Sequence, residues 1–164
     1  MILYHGTNQD IDSIDLTAGS RFKDFGQGYY LTPMKKTAER MAKKKASLFG
    51  GVPTVISYEF NRDSALTSKL SVKEFPEKAT AEWIRFISDN RDHKQNHPTH
   101  RFDIVIGPIA DDGVVLQLTN FKNQILTPEE AAARLQDRFL DQQYCFGTPD
   151  SLFLLKKIQV WTLD

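Results

Sequence analysis

Phe25-Gly26-Gln27-Gly28-Tyr29-Tyr30-Leu31-Thr32 brings two glycines and a tyrosine pair into eight residues, and it follows the short apolar segment Leu3-Tyr4-His5-Gly6-Thr7. A tyrosine ring offers a flat apolar face to a heteroaromatic ligand, and glycines, having no Cβ, let backbone amides come close to it. With a histidine beside a glycine in the earlier segment, the combination points to a nucleotide pocket.

Around that stretch, 164 residues with 40% hydrophobic content suffice for one core and one domain, 1–164. Lys+Arg and Asp+Glu both number 21, so no global field draws the chain to nucleic acid or an anionic membrane. A small ligand or a protein partner is the better expectation. Cys145 is the single cysteine and cannot form an internal disulfide. No apolar run approaches the roughly 20 residues that span a bilayer, and no secretory leader is evident, so a cytoplasmic place is expected. An effector delivered into another cell would have the same composition.

Ile2 to His5 reads as a strand, and Asn8 to Lys23 as an irregular polar loop. Thr32-Pro33 reads as a helix start, with Ala38, Met41, Ala42 and Ala46 as its apolar stripe and Gly50-Gly51 as its end. Pro53 to Phe60 and Leu70 to Phe75 read as strands, with a turn at Asn61-Arg62-Asp63, and Glu77 to Asp89 as a helix. Phe102 to Ile106 is a compact apolar strand broken by Gly107-Pro108. Thr127-Pro128-Glu129-Glu130 is a capping box before a helix over Ala131 to Phe139. Gln142 to Phe146 is short and aromatic, Thr148-Pro149 starts another helix, and Ile158 to Thr162 closes the chain as a strand. Strands and helices mix without a regular βαβ period, which favours α+β over a doubly wound sheet.

His5-Gly6-Thr7, then the Phe25 to Thr32 motif, then a polar residue on a late strand together resemble the ADP-ribosyltransferase superfamily of the histidine-tyrosine-glutamate type. Asp24 to Thr32, Phe102 to Asp112 and Gln143 to Thr148, with Trp83, look most like an uncharacterised bacterial branch of it. The resemblance implies a split, mainly antiparallel sheet with flanking helices, and NAD as substrate. It gives His5 a ribose hydroxyl, Gly6 the nicotinamide carboxamide and Tyr30 the nicotinamide ring, with Thr7, Phe25, Gly26 and Gly28 also among the NAD-binding residues. Tyr29 then points away, because successive strand residues face opposite sides. Met41 stands where the superfamily usually has a second aromatic, and a thioether is a softer platform.

The third motif position departs from the pattern, with Gln143 where a glutamate is usual. Cleavage of the nicotinamide bond passes through an oxocarbenium-like state that a fixed carboxylate stabilises, whereas an amide only orients. Asp141, two residues earlier and on the same side of a regular strand, is the expected source of the missing charge. Arg21 and Lys23 are the expected cations for the pyrophosphate.

Several features have plainer readings. Gly26-x-Gly28 lacks the third glycine of a dinucleotide-binding βαβ turn. Asp24-Phe25-Gly26 copies a kinase tripeptide by coincidence, in a chain too short for a kinase. His93, His97 and His100 share a polar loop but read as solvated, so no metal is expected. Asp103 and Asp111 read as a strand start and a turn, with Asp111 a candidate for a target-facing rim by resemblance. Lys43-Lys44-Lys45 reads as a solvated helix face. Cys145 reads as a small buried side chain. The expected function is mono-ADP-ribosyl transfer from NAD to a macromolecular acceptor, a protein. NAD glycohydrolysis and silent NAD or ADP-ribose binding are the alternatives, and RNA phosphate transfer has little support in a neutral chain.

Overall fold

Alternation along the strands sorts the apolar residues into two cores, and the computed structural model, which describes residues 1–164, shows where each lies. Its strands are β1 (Ile2–Thr7), β2 (Tyr29–Leu31), β3 (Thr54–Phe60), β4 (Val72–Glu74), β5 (Ile104–Pro108), β6 (Gln142–Phe146) and β7 (Leu155–Thr162). Its helices are α1 (Lys35–Phe49), α2 (Arg62–Thr67), α3 (Ala81–Arg91), α4 (Asp112–Lys122), α5 (Pro128–Ala133) and α6 (Pro149–Leu152). The fold class is α+β. One sheet has the order β1-β3-β7 and the other β2-β6-β5-β4, and every pairing is antiparallel except β4 with β5.

Tyr29, Leu31, Ile104, Ile106, Tyr144 and Phe146 face the first sheet and pack on Leu3, Ile56, Tyr58 and Phe60. Val105 and Cys145, one residue out of phase, face the helices with Phe25, Trp83, Ile84, Ile87, Val114 and Leu135. Each large side chain that is fully buried here contributes ~1.5–3 kcal/mol of transfer free energy. On the outer face of the first sheet, Ala38 and Ala42 of α1 lie against Val55. Small residues bring this helix so near β1 that a Cβ on Gly6 would fall against the Ala38 carbonyl and within 2.9 Å of the Ala42 nitrogen.

The backbones of the two sheets pair at one bridge, Tyr4 opposite Thr32, with Tyr4 N donating to Thr32 O at 2.8 Å and Thr32 N to Tyr4 O at 2.9 Å. Beyond Tyr4 the strands part. The structure thus has the split, mainly antiparallel arrangement of sheets, and no helix is long and apolar enough to cross a membrane.

The Thr127 capping box is present, and Thr148 caps α6 as its Thr-Pro pair predicts. Other boundaries differ. Thr32 is spent on the bridge and accepts from Met34 N, so α1 starts at Lys35 without a side-chain cap. Asn61 caps α2 where a turn is read, and Gly107-Pro108 stays within β5 because its pairing with β6 continues to Pro108. The segment after Asp111 is a helix, α4, capped by the Asp111 carboxylate, and α5 ends at Ala133, short of Phe139.

Gly6→Ala is expected to cost about 1–3 kcal/mol, since added bulk would meet helix backbone and not a movable side chain. Thermal denaturation measures it, and an unchanged melting temperature would mean that α1 can back away from β1.

Candidate functional site

Where β1 and β2 diverge, a cavity of about 730 Å³ opens between the sheets, within the ~300–1,000 Å³ usual for small-molecule sites. His5, Gly6 and Thr7 line it from β1, Gly28 and Tyr30 from the motif, Met41 from α1 and Gln143 from β6. Four separate stretches of sequence therefore meet on one surface. The Asn8 to Lys23 loop forms part of the wall, held by Gln27 Nε2 donating to Gly19 O at 2.7 Å and by Lys157 Nζ donating to Ile11 O at 2.9 Å.

His5 has a defined tautomer. Its Nδ1 lies 2.7 Å from the Tyr30 carbonyl, which can only accept, so Nδ1 carries the hydrogen. Burial, helped by the Lys45 ammonium, lowers its pKa to about 3, so the ring is neutral near pH 7 and Nε2 is a bare acceptor. Tyr29, expected to point away, also lines the cavity, because its ring turns toward β1 and stacks on the imidazole with ring centroids 4.2 Å apart.

Tyr30 turns the other way from Tyr29. Its hydroxyl donates to Gly26 O at 2.5 Å and accepts from Phe25 N at 3.0 Å, so the motif backbone fixes the ring. Gly26 makes this turn with φ +83°, a conformation that favours glycine, and Phe25 is fully buried behind it. Neither Phe25 nor Gly26 lines the cavity; they hold Tyr30 from behind. Gly28 admits β6, since a Cβ there would come within 2.6 Å of Cys145 Sγ. Burial pushes the Cys145 thiol up to about 12, so no thiolate forms near pH 7.

Gln143 is buried, and its Nε2 donates to Asp24 Oδ2 at 3.1 Å and to Pro108 O at 3.2 Å. Asp24 is also buried on the cavity, with Arg91 Nη2 2.5 Å and Nε 2.7 Å from its Oδ1. Paired and hydrogen-bonded on both oxygens, this carboxylate is compensated for leaving water.

Two expected charges lie elsewhere. Asp141 falls one residue before β6 begins, where strand alternation does not apply, and its carboxylate accepts from Thr37 and from Arg40 on α1, away from the cavity lining. Arg21 donates to Gln95 O at 2.7 Å and Asn96 O at 2.9 Å, tying two loops together outside the cavity. Lys23 does line it, with Nζ 5.2 Å from the Tyr30 ring centroid. Lys45, read as a solvated charge, turns inward and donates to Gly6 O at 2.8 Å, and burial lowers its pKa to about 8. His100 is structural, its Nε2 donating to Phe25 O at 2.7 Å, while His93 stacks on Phe22. Asp111 pairs with Arg138 at 2.7 Å, and Asp103 accepts from Ser71 and Thr148.

Asp24, Lys45 and Arg91 are the site residues that sequence reading missed. Lys45 was within reach, because it follows Met41 by four positions and shares its helix face. Arg91 ends α3 far along the chain, and no local pattern announces its reach to Asp24.

Because the ordinary histidine value of 6.5 applies to the unfolded chain and about 3 to the folded one, the unfolded chain binds the extra proton, and stability is lost as pH falls from 6.5 toward 3. Between pH 6 and pH 4, wild type should lose ~1.4 kcal/mol per pH unit more than His5→Gln in denaturant titrations. Parallel curves would mean a solvated, charged ring.

Comparison with curated proteins and with solved structures gives no match. The model of one family, described as protein of unknown function (DUF3990), matches residues 1–157, and the chain belongs to that family.

Proposed function

We propose that the cavity binds NAD and that the protein transfers ADP-ribose from it to a macromolecular acceptor, a protein, releasing nicotinamide. One observation supports this above the rest: His5, Tyr30 and Gln143, which carry the three motif positions of the ADP-ribosyltransferase resemblance, line a single cavity at the split between two sheets. The neutral His5 ring offers Nε2 to a ribose hydroxyl, which requires an acceptor. Tyr4 exchanges both backbone bonds with Thr32, so by antiparallel alternation Gly6 presents its amide along the same edge, where a carboxamide oxygen would meet it.

Tyr30, fixed by its hydroxyl, supplies the face for the nicotinamide ring. A cationic pyridinium there repels Lys23 from its place over the ring, and Lys23 and Lys45 then serve the pyrophosphate. Arg91 is committed to Asp24 and takes no part in phosphate binding. Met41, 44% exposed on the rim, gives the ring's other side a flexible thioether.

A second reading, NAD binding with slow hydrolysis or no turnover, is favoured by Gln143, whose side chain brings no charge to the ribose. Incubation with NAD and a cell lysate separates the readings: intact-mass and peptide mass spectrometry should find ADP-ribose on protein. Free ADP-ribose alone would indicate hydrolysis, and tight binding with NAD left intact a silent module.

Tyr30→Ala should weaken NAD binding at least tenfold, the ~1.4 kcal/mol of a stacked ring. Calorimetry reads this, and unaltered affinity would return Tyr30 to an ordinary packing role. The affinity of the wild type should also fall as pH rises through about 8, because Lys45 loses its proton there. Lys45→Met should bind more weakly at pH 7 and show no such decline between pH 7 and pH 9.

A further inference from the structure

We propose that Asp24 is a positioning residue for Gln143 and carries the negative charge that the third motif position lacks, an inference that rests on the NAD reading above. Gln143 has two amide hydrogens, and both are used inside the protein, on Asp24 Oδ2 at 3.1 Å and on Pro108 O at 3.2 Å. What remains for a ligand is the carbonyl Oε1, an acceptor with no protein partner. A glutamine is ordinarily ambiguous, since its amide can turn end for end and offer donor or acceptor. Here a carboxylate and a carbonyl, neither of which can donate, exclude the flipped form. The locked amide offers what a glutamate would offer to a ribose hydroxyl, an oxygen lone pair.

The charge stands one hydrogen bond behind. Asp24 lines the same cavity, so its field reaches the ribosyl carbon through low-dielectric surroundings and not through bulk water. Arg91 holds the other carboxylate oxygen and fixes the direction in which Oδ2 points. In the assay reaction the bond from C1′ of the ribose to the nicotinamide nitrogen breaks, and its electron pair leaves with nicotinamide. Water then gives a lone pair to C1′ and its proton to solvent. Asp24 takes no part in the proton transfer; its part is to hold Gln143 and to favour the positive charge that builds at C1′.

Nicotinamide release from NAD and calorimetric NAD binding test this in wild type, Asp24→Asn and the double variant Asp24→Asn with Gln143→Glu. The asparagine side chain can still accept from Gln143, so the first variant removes charge while keeping a hydrogen bond; near-ultraviolet circular dichroism confirms that each variant is folded. Asp24→Asn is expected to lower the rate constant about 100-fold with NAD affinity within about threefold of wild type. The double variant returns a carboxylate to the third position, with the asparagine amide able to donate to it, and is expected to recover at least about tenfold. A purely structural role for Asp24 would not give that rescue. Full turnover by Asp24→Asn overturns the proposal and leaves NAD binding standing, as does a wild type that binds NAD and releases no nicotinamide. A wild type that binds no NAD removes the reading of the site itself, and this inference with it. Should Asp24→Asn not fold, failure of the folded double variant to release nicotinamide overturns the proposal equally.

Discussion

The backbone ladders of the two sheets are joined by one residue pair, Tyr4 with Thr32, and the cavity opens where that pairing stops. Past Tyr4, β1 leaves β2 and runs beneath α1, where Gly6 allows backbone to approach backbone. A continued ladder would have closed His5 to Thr7 against the motif strand and left no room for a ligand. Strand edges that lose their partner need their amides and carbonyls satisfied by other groups. Lys45 meets part of that need on Gly6 O, and His5 meets it from the other side by donating to Tyr30 O. The groups that relieve the unpaired edges are therefore the groups that give the cavity its chemistry.

A charge placed at such a split has to be compensated within it. Asp24 draws on Arg91 from the end of α3, on Gln143 from β6 and on the Ala110 amide at 3.4 Å, so one carboxylate gathers three segments that are remote in sequence. Removing one member leaves the others buried without a partner, which is costlier than the pair is favourable. The cavity floor is consequently rigid. On the α1 rim Met41 and Phe49 are exposed, and their side chains can adapt to what enters.

Much of this was legible in the sequence where a local rule governs. The Thr127 capping box, the Thr148 cap and the opposed directions of Tyr29 and Tyr30 follow from the chemistry of neighbouring residues. The α+β class follows from the mixed order of strands and helices. Errors came where a tertiary partner took over a residue with a local role to play. Thr32 resembles an N-cap but serves the bridge, whereas Asp111 resembles a turn and its carboxylate caps α4 by a local bond to Val114 N. Asp141 was placed by strand alternation, which holds only inside a strand, and it sits one residue outside. Asp24 belongs to the motif stretch, yet nothing local distinguishes a solvated aspartate there from one that meets Arg91 across the fold.

Separating the acceptor from the charge, as Gln143 and Asp24 do on the proposed reading, has a physical consequence. A glutamate in the third position combines orientation and charge in one group that faces the ligand and loses both when protonated. In the arrangement here the facing group is an amide, which does not titrate, while the charge is sheltered behind it and held by a guanidinium. The electrostatic contribution to bond cleavage is weaker than that of a direct carboxylate, because Coulomb attraction falls with distance and Arg91 offsets part of it. On the proposed reading such a site favours binding over rate, and breaking of the nicotinamide bond is the step that limits transfer.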